Sequence, residues 1–182
     1  VLSADFEQWL NDTEWQGAEA VNLVEQPAKA LLSRHVEYPD YTIHDATPQD
    51  NNVYAFKCNS TGFLGVKVKV EEPTRLQVRF DELLWEDGNV NAGRLGCQAY
   101  IIYELQPGDY NIESYEPYTM KYAQAVVESG KCTVERVYMR DYCNSDVDRA
   151  TFVSGNADLD RLFESARETF RQNALDIFMD CP

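Results

Sequence analysis

A mainly β chain, an antiparallel sandwich with an irregular N-terminal connector and one C-terminal helix, is predicted by three features of this sequence. Apolar and polar residues alternate in short runs between about 52 and 150, turn residues punctuate those runs, and the spacing becomes helical after Tyr142. Seven or more short strands with regular turn signals imply an antiparallel sandwich or barrel. At 182 residues the chain can bury a sizeable core, with room for one domain and an appendage.

Residues 1–48 read as a connector. Trp9 and Trp15 sit among acids, Ala28-Lys29-Ala30-Leu31-Leu32 offers a short turn of helix, and Pro27, Pro39 and Pro48 interrupt the rest. Val1 has neither a helix cap nor a strand partner in view, so the polypeptide is expected to extend upstream and this segment to pack against something larger.

Residues 49–150 form the predicted sandwich. Val66-Lys67-Val68-Lys69-Val70 and Leu76-Gln77-Val78-Arg79-Phe80 each present one apolar face, as a half-buried strand must. Glu71-Glu72-Pro73-Thr74 is the expected turn between them. Further strands are expected at 53–57, 99–105, 110–114, 120–127 and 134–141, separated by Asp87-Gly88-Asn89, Pro107-Gly108-Asp109 and Ser129-Gly130-Lys131.

In residues 151–182, Ser154 or Asn156 can cap a helix whose first turn carries Asp158 and Asp160, where acids suit the helix dipole. Leu159, Leu162, Phe163, Ala166 and Phe170 recur at three- and four-residue intervals, with Arg161, Glu164, Arg167, Glu168 and Arg171 on the other face. Such a helix is either a lid on the sheets or the first helix of another domain.

Sixteen Lys and Arg against 31 Asp and Glu give a net charge of −15, which repels phosphate backbones and anionic head groups. Nucleic acid and membrane surfaces are therefore not expected partners, whereas neutral glycans suit an acidic surface with 11 Tyr. The five cysteines lack Cys-x-x-Cys spacing and only two His are present, so neither a structural zinc site nor a small disulfide framework is supported. Phosphate loops, Gly-x-Ser-x-Gly and His-Glu-x-x-His are absent, and no cofactor is expected.

His35 and His44 lie in the connector and read as surface residues. Asp81 and Glu82 are neighbours at a strand end and point to opposite faces, so they cannot flank one glycosidic bond together; solvation or local hydrogen bonds are expected instead, with the orienting of a neighbouring domain as the alternative. Glu113-Ser114-Tyr115-Glu116-Pro117-Tyr118-Thr119 mixes carboxylates with aromatics. Tyr115, Tyr118 and Tyr122 either pack a sandwich edge or form a sugar-stacking platform. Asp176 and Asp180 flank Ile177-Phe178-Met179 at the chain end.

Phe152-Val153-Ser154-Gly155-Asn156, followed by Leu159, Leu162-Phe163, Thr169, Asn173 and Asp180-Cys181-Pro182, resembles the lead-in to the active-site loop of bacterial α-L-rhamnosidases. Thr61-Gly62-Phe63-Leu64-Gly65, the run Arg79-Phe80-Asp81-Glu82-Leu83-Leu84 with Asp87-Gly88, and Glu116-Pro117-Tyr118-Thr119-Met120-Lys121-Tyr122 are similar to the accessory β-sandwich preceding that family's catalytic barrel. Together these stretches cover roughly residues 50–182.

The resemblance implies an inverting glycosidase, in which one carboxylic acid protonates the departing oxygen and a second carboxylate activates water. It makes the C-terminal helix the first of an α/α barrel and Asp180 a substrate-binding residue that bonds rhamnose hydroxyls. The family's general acid falls just past Pro182 and its base much further on, so no catalytic residue is expected in this chain, and no metal. The chain then reads as a fragment, inactive alone, whose partners are a rhamnose-containing glycan or glycoside and the rest of the barrel. A periplasmic or secreted location is implied, with cytoplasmic members also expected. From a different class comes the competing reading, a non-catalytic carbohydrate-binding or surface interaction module.

Overall fold

Alternation of buried and exposed residues is strict where the longest strand crosses the core: Val66, Val68 and Val70 are buried while Lys67 and Lys69 between them face water. The computed structural model describes residues 37–175. Its strands are β1 (Ile43–Asp45), β2 (Thr47–Pro48), β3 (Val53–Asp81), β4 (Tyr100–Leu105), β5 (Gly108–Glu113) and β6 (Tyr118–Asp141), followed by one helix, α1 (Ala157–Asn173). All pairings among them are antiparallel.

The two long strands each serve both layers of the sandwich. In one layer residues 62–70 of β3 pair with residues 132–141 of β6, flanked by β5 on one side and β1 on the other. In the other, residues 75–81 of β3 pair with residues 122–129 of β6, with β4 beyond β3. The opening residues of β3 and then β2 complete that layer on the far side of β6. Leu64, Val66, Leu76, Val78, Leu105, Met120 and Met139, all at most 1% exposed, come from both layers and form one apolar cluster. Burying each such side chain stabilises the fold by roughly 1.5–3 kcal/mol.

Two expected turns are corners instead. The chain does not reverse at Glu71-Glu72-Pro73-Thr74 or at Ser129-Gly130-Lys131; β3 and β6 run on through both places, opposite each other. Register slips between Val70 and Arg75 insert extra residues into β3, which bends it and carries the pair from one layer to the other. Pro73 cannot donate to a ladder, and Gly130 holds φ at +81° with its Cα packed against Pro73 and Thr74. The turns at Asp87-Gly88-Asn89 and before β5 form as expected, the first closed by Trp85 N–H to Asn89 O at 2.9 Å.

Residues 43–48, within the predicted connector, already pair as edge strands β1 and β2. Cys58, Cys97, Cys132 and Cys143 are free thiols, and burial pushes the Cys143 thiol up to about 11. Helix α1 is capped by Asn156, whose side-chain oxygen accepts from the Asp158 and Leu159 N–H groups. Along its length Leu159 and Leu162 stay 48% and 65% exposed, and Phe163 stacks on Phe152 at 5.2 Å rather than on the sheets. No helix among the described residues is long and apolar enough to cross a membrane.

Candidate functional site

The last turn of α1 joins the sandwich through polar groups. Gln172, buried, donates to Asn59 O at 2.9 Å and to Glu168 Oε1 at 2.7 Å, and accepts from Thr61 Oγ1 at 3.3 Å. From the segment after β6, Asn144 N–H donates to Arg171 O at 2.7 Å, and its side-chain amide donates to Ala174 O. Carbonyls left open at a helix end thus find partners in the loop beneath.

Beside this joint is a cavity of about 850 Å³ whose wall includes Asp40, His44, Asp141, Glu168 and Arg171. Asp141, the last residue of β6, has a side chain only 3% exposed. One carboxylate oxygen, Oδ2, meets His44 Nε2 at 2.9 Å and lies 3.8 Å from Arg171 Nη1. The other, Oδ1, has no hydrogen-bond partner among the described residues. Burial raises the Asp141 carboxyl above the usual range, with His44 and Arg171 opposing the rise. His44 is therefore more than a surface histidine. Strand β1 places it on a buried acid 97 positions away.

The other carboxylates around the cavity already have partners. Glu168 is bonded by Arg171 and Gln172, Asp40 accepts from Thr42, and Asp45 accepts from Arg136 at 2.5 Å. What the arrangement does chemically is hold the helix end on the sheet. No group of three or more His, Cys, Asp or Glu that could hold a metal occurs among the described residues.

Asp81 and Glu82 form local hydrogen bonds, as expected, but through a shared cation: Arg94 grips Asp81 with two nitrogens at 2.6 and 2.7 Å and reaches Glu82 at 3.2 Å. Asp81 is buried rather than solvated. The segment Glu113–Thr119 divides. Glu113 turns to Arg140 at 2.7 Å and Tyr138 at 3.1 Å, which lowers its carboxyl, while Tyr115, Glu116 and Tyr118 surround a separate cavity of about 420 Å³. Asp176 and Asp180 lie outside the described residues. Sequence reasoning missed Asp141; its only signal was an acid closing an apolar strand.

No family model matches the chain. An α-L-rhamnosidase from Alteromonas sp. (strain LOR) is 26% identical over 182 aligned residues, covering 94% of this chain and 20% of the relative. The GH78 family rhamnosidase of Bacillus sp. GL1 superposes with a TM-score of 0.61 at 20% identity, over 71% of this chain and 14% of that one. The α-L-rhamnosidase from Dictyoglumus thermophilum gives 0.61 at 21% identity, over 81% and 18%. A rhamnosidase from Klebsiella oxytoca with rhamnose bound gives 0.56 at 13% identity, over 79% and 29%.

Fold and comparisons together define a β-sandwich with a trailing helix, of a kind found within glycoside hydrolases. The particular proteins it is similar to are α-L-rhamnosidases, and the chain spans about a fifth of the length of the curated relative.

Proposed function

We propose that this chain is the accessory sandwich and first barrel helix of an α-L-rhamnosidase-like glycoside hydrolase, a part of a larger enzyme that removes terminal rhamnose with inversion. The observation that carries the reading is likeness to an α-L-rhamnosidase along nearly the whole chain, in a fold whose helix docks through its last turn while Leu159 and Leu162 stay open. A lone amphipathic helix gains little from its own hydrogen bonds and needs an apolar neighbour. Further barrel helices supply that neighbour.

In this reading the residues before β1 connect, 43–150 scaffold and 151–182 open the barrel. The sandwich holds the last turn of α1 through Gln172, and Asp180 is the residue that bonds rhamnose hydroxyls as an acceptor. Acid and base come from residues beyond this chain, and the substrate is a rhamnose-containing glycan or glycoside met in the periplasm or outside the cell.

The test compares this chain with the gene product that continues past it, on an aryl α-L-rhamnoside. The longer protein is expected to release the phenol and the 182-residue chain to stay at background; turnover by the chain alone refutes the assignment. In the longer protein Asp180→Asn is expected to lower kcat/KM about 100-fold or more, since a charged acceptor for a sugar hydroxyl is lost. Unchanged kinetics would remove Asp180 from the subsite.

A further inference from the structure

We infer that the cleft between the edge of β4 and the β5–β6 loop is a binding subsite for a neutral saccharide, on the sandwich itself. This goes beyond the proposed function, because every residue of it belongs to the described chain and none of it depends on a barrel.

The cleft, about 420 Å³, is walled on one side by Ile101, Ile102, Tyr103 and Glu104. Consecutive strand residues point to opposite faces, so a cavity touched by four in a row runs along the strand's edge. That edge is open, since β4 pairs only with β3 among the described residues. The other wall is Ser114, Tyr115, Glu116 and Tyr118. Ser114 pins this loop: buried, it accepts from Leu64 N–H at 3.0 Å and donates to Glu116 O at 2.7 Å. Tyr115 thus stands 84% exposed on a fixed base, and Tyr118 leans on Phe80 at 4.6 Å.

The hydroxyls are open to a ligand. Tyr103 is only 6% exposed as a residue, but its hydroxyl reaches the surface at the cleft, and neither it nor the hydroxyls of Tyr115 and Tyr118 bond a described residue. Burial holds the Tyr103 hydroxyl up to about 12, with Tyr115 and Tyr118 near enough to add to the effect. It therefore stays a neutral donor and acceptor at any physiological pH.

Flat aromatic faces beside open hydroxyls, with Glu116 as an acceptor and the two isoleucines as an apolar wall, match the alternating hydroxyl and C–H surfaces of a sugar ring, while Glu104 is already held by Arg75. No cation lines the cleft and the chain carries −15, so uronic acids and other anions are disfavoured.

The test is saturation-transfer NMR on the 182-residue chain with methyl α-L-rhamnoside, cellotetraose and xylotetraose, a trigalacturonate control and an extended peptide. Saturation transfer to at least one neutral saccharide is expected, with affinity lowered about tenfold by Tyr115→Ala, which removes an exposed ring, and about threefold or more by Tyr103→Phe, which removes one hydroxyl. Near-UV circular dichroism checks that both variants stay folded. The inference is overturned by transfer to none of the neutral saccharides, by affinity unchanged in Tyr115→Ala, or by the peptide or the trigalacturonate binding in their place. Its fate is separate from that of the rhamnosidase reading, which the longer protein's turnover decides.

Discussion

Asp141 is the residue at which the environment and the side chain disagree most. Burial raises its carboxyl above the ordinary value, against the pull of His44 and Arg171, so the fold favours the neutral form more than the unfolded chain does. By linkage the stability this group contributes is fully present below its unfolded value, about 3.9, and is lost as pH rises through the raised folded value. Asparagine imitates the neutral form at every pH. The melting temperature of Asp141→Asn minus that of the parent chain is therefore expected to grow as pH rises from about 4 toward neutral. A difference that is flat or shrinks across that range refutes the assignment. Asp141 was legible as the end of a strand and no more. What makes it unusual is His44, brought to it by pairing β1 with β6 across 97 positions, and no local pattern carries that information. Asp81 shows the same blindness, since Arg94 follows it by 13 positions with a turn between.

At the scale of elements, alternation located the strand interiors and the helix because both depend on near neighbours in sequence. Val66, Val68 and Val70 face the core as read, and Asn156 caps α1 with Asp158 and Asp160 in its first turn. The corners were misread because Pro73 and Gly130 send the same local signal whether a chain reverses or only bends. Partner strands decide between the two, and partners are long-range. Helix docking is set by Gln172, whose amide satisfies Asn59, Glu168 and Thr61 together. Gln172→Ala takes the amide partner from the part-buried Asn59 carbonyl, while the Thr61 hydroxyl keeps Thr119 at 2.7 Å, and is expected to cost about 1–3 kcal/mol of docking free energy. Amide hydrogen exchange should report it as faster exchange through α1 with protection of β3 and β6 intact. Equal loss of protection in helix and sandwich would mean that the helix is integral to the sheet core.

For the whole molecule, self-repulsion follows from 31 acids against 16 bases. Screening lengths shorten from about 10 Å at 0.1 M salt to about 3 Å at 1 M. Sodium chloride is therefore expected to raise the melting temperature by a few degrees, on the order of 1 kcal/mol for a chain of this size. A fall would mean that pairs such as Arg140–Glu113 outweigh the repulsion.

Both sheets share the same two ribs, β3 and β6, which pass through the corner at Pro73 and Gly130 without a break. Neither face of the sandwich can slide over the other, because shear there would have to stretch covalent backbone rather than part side chains. A push delivered at Gln172 passes through Thr61 into β3 and so reaches both faces at once, which makes the unit a stiff bracket rather than a hinge.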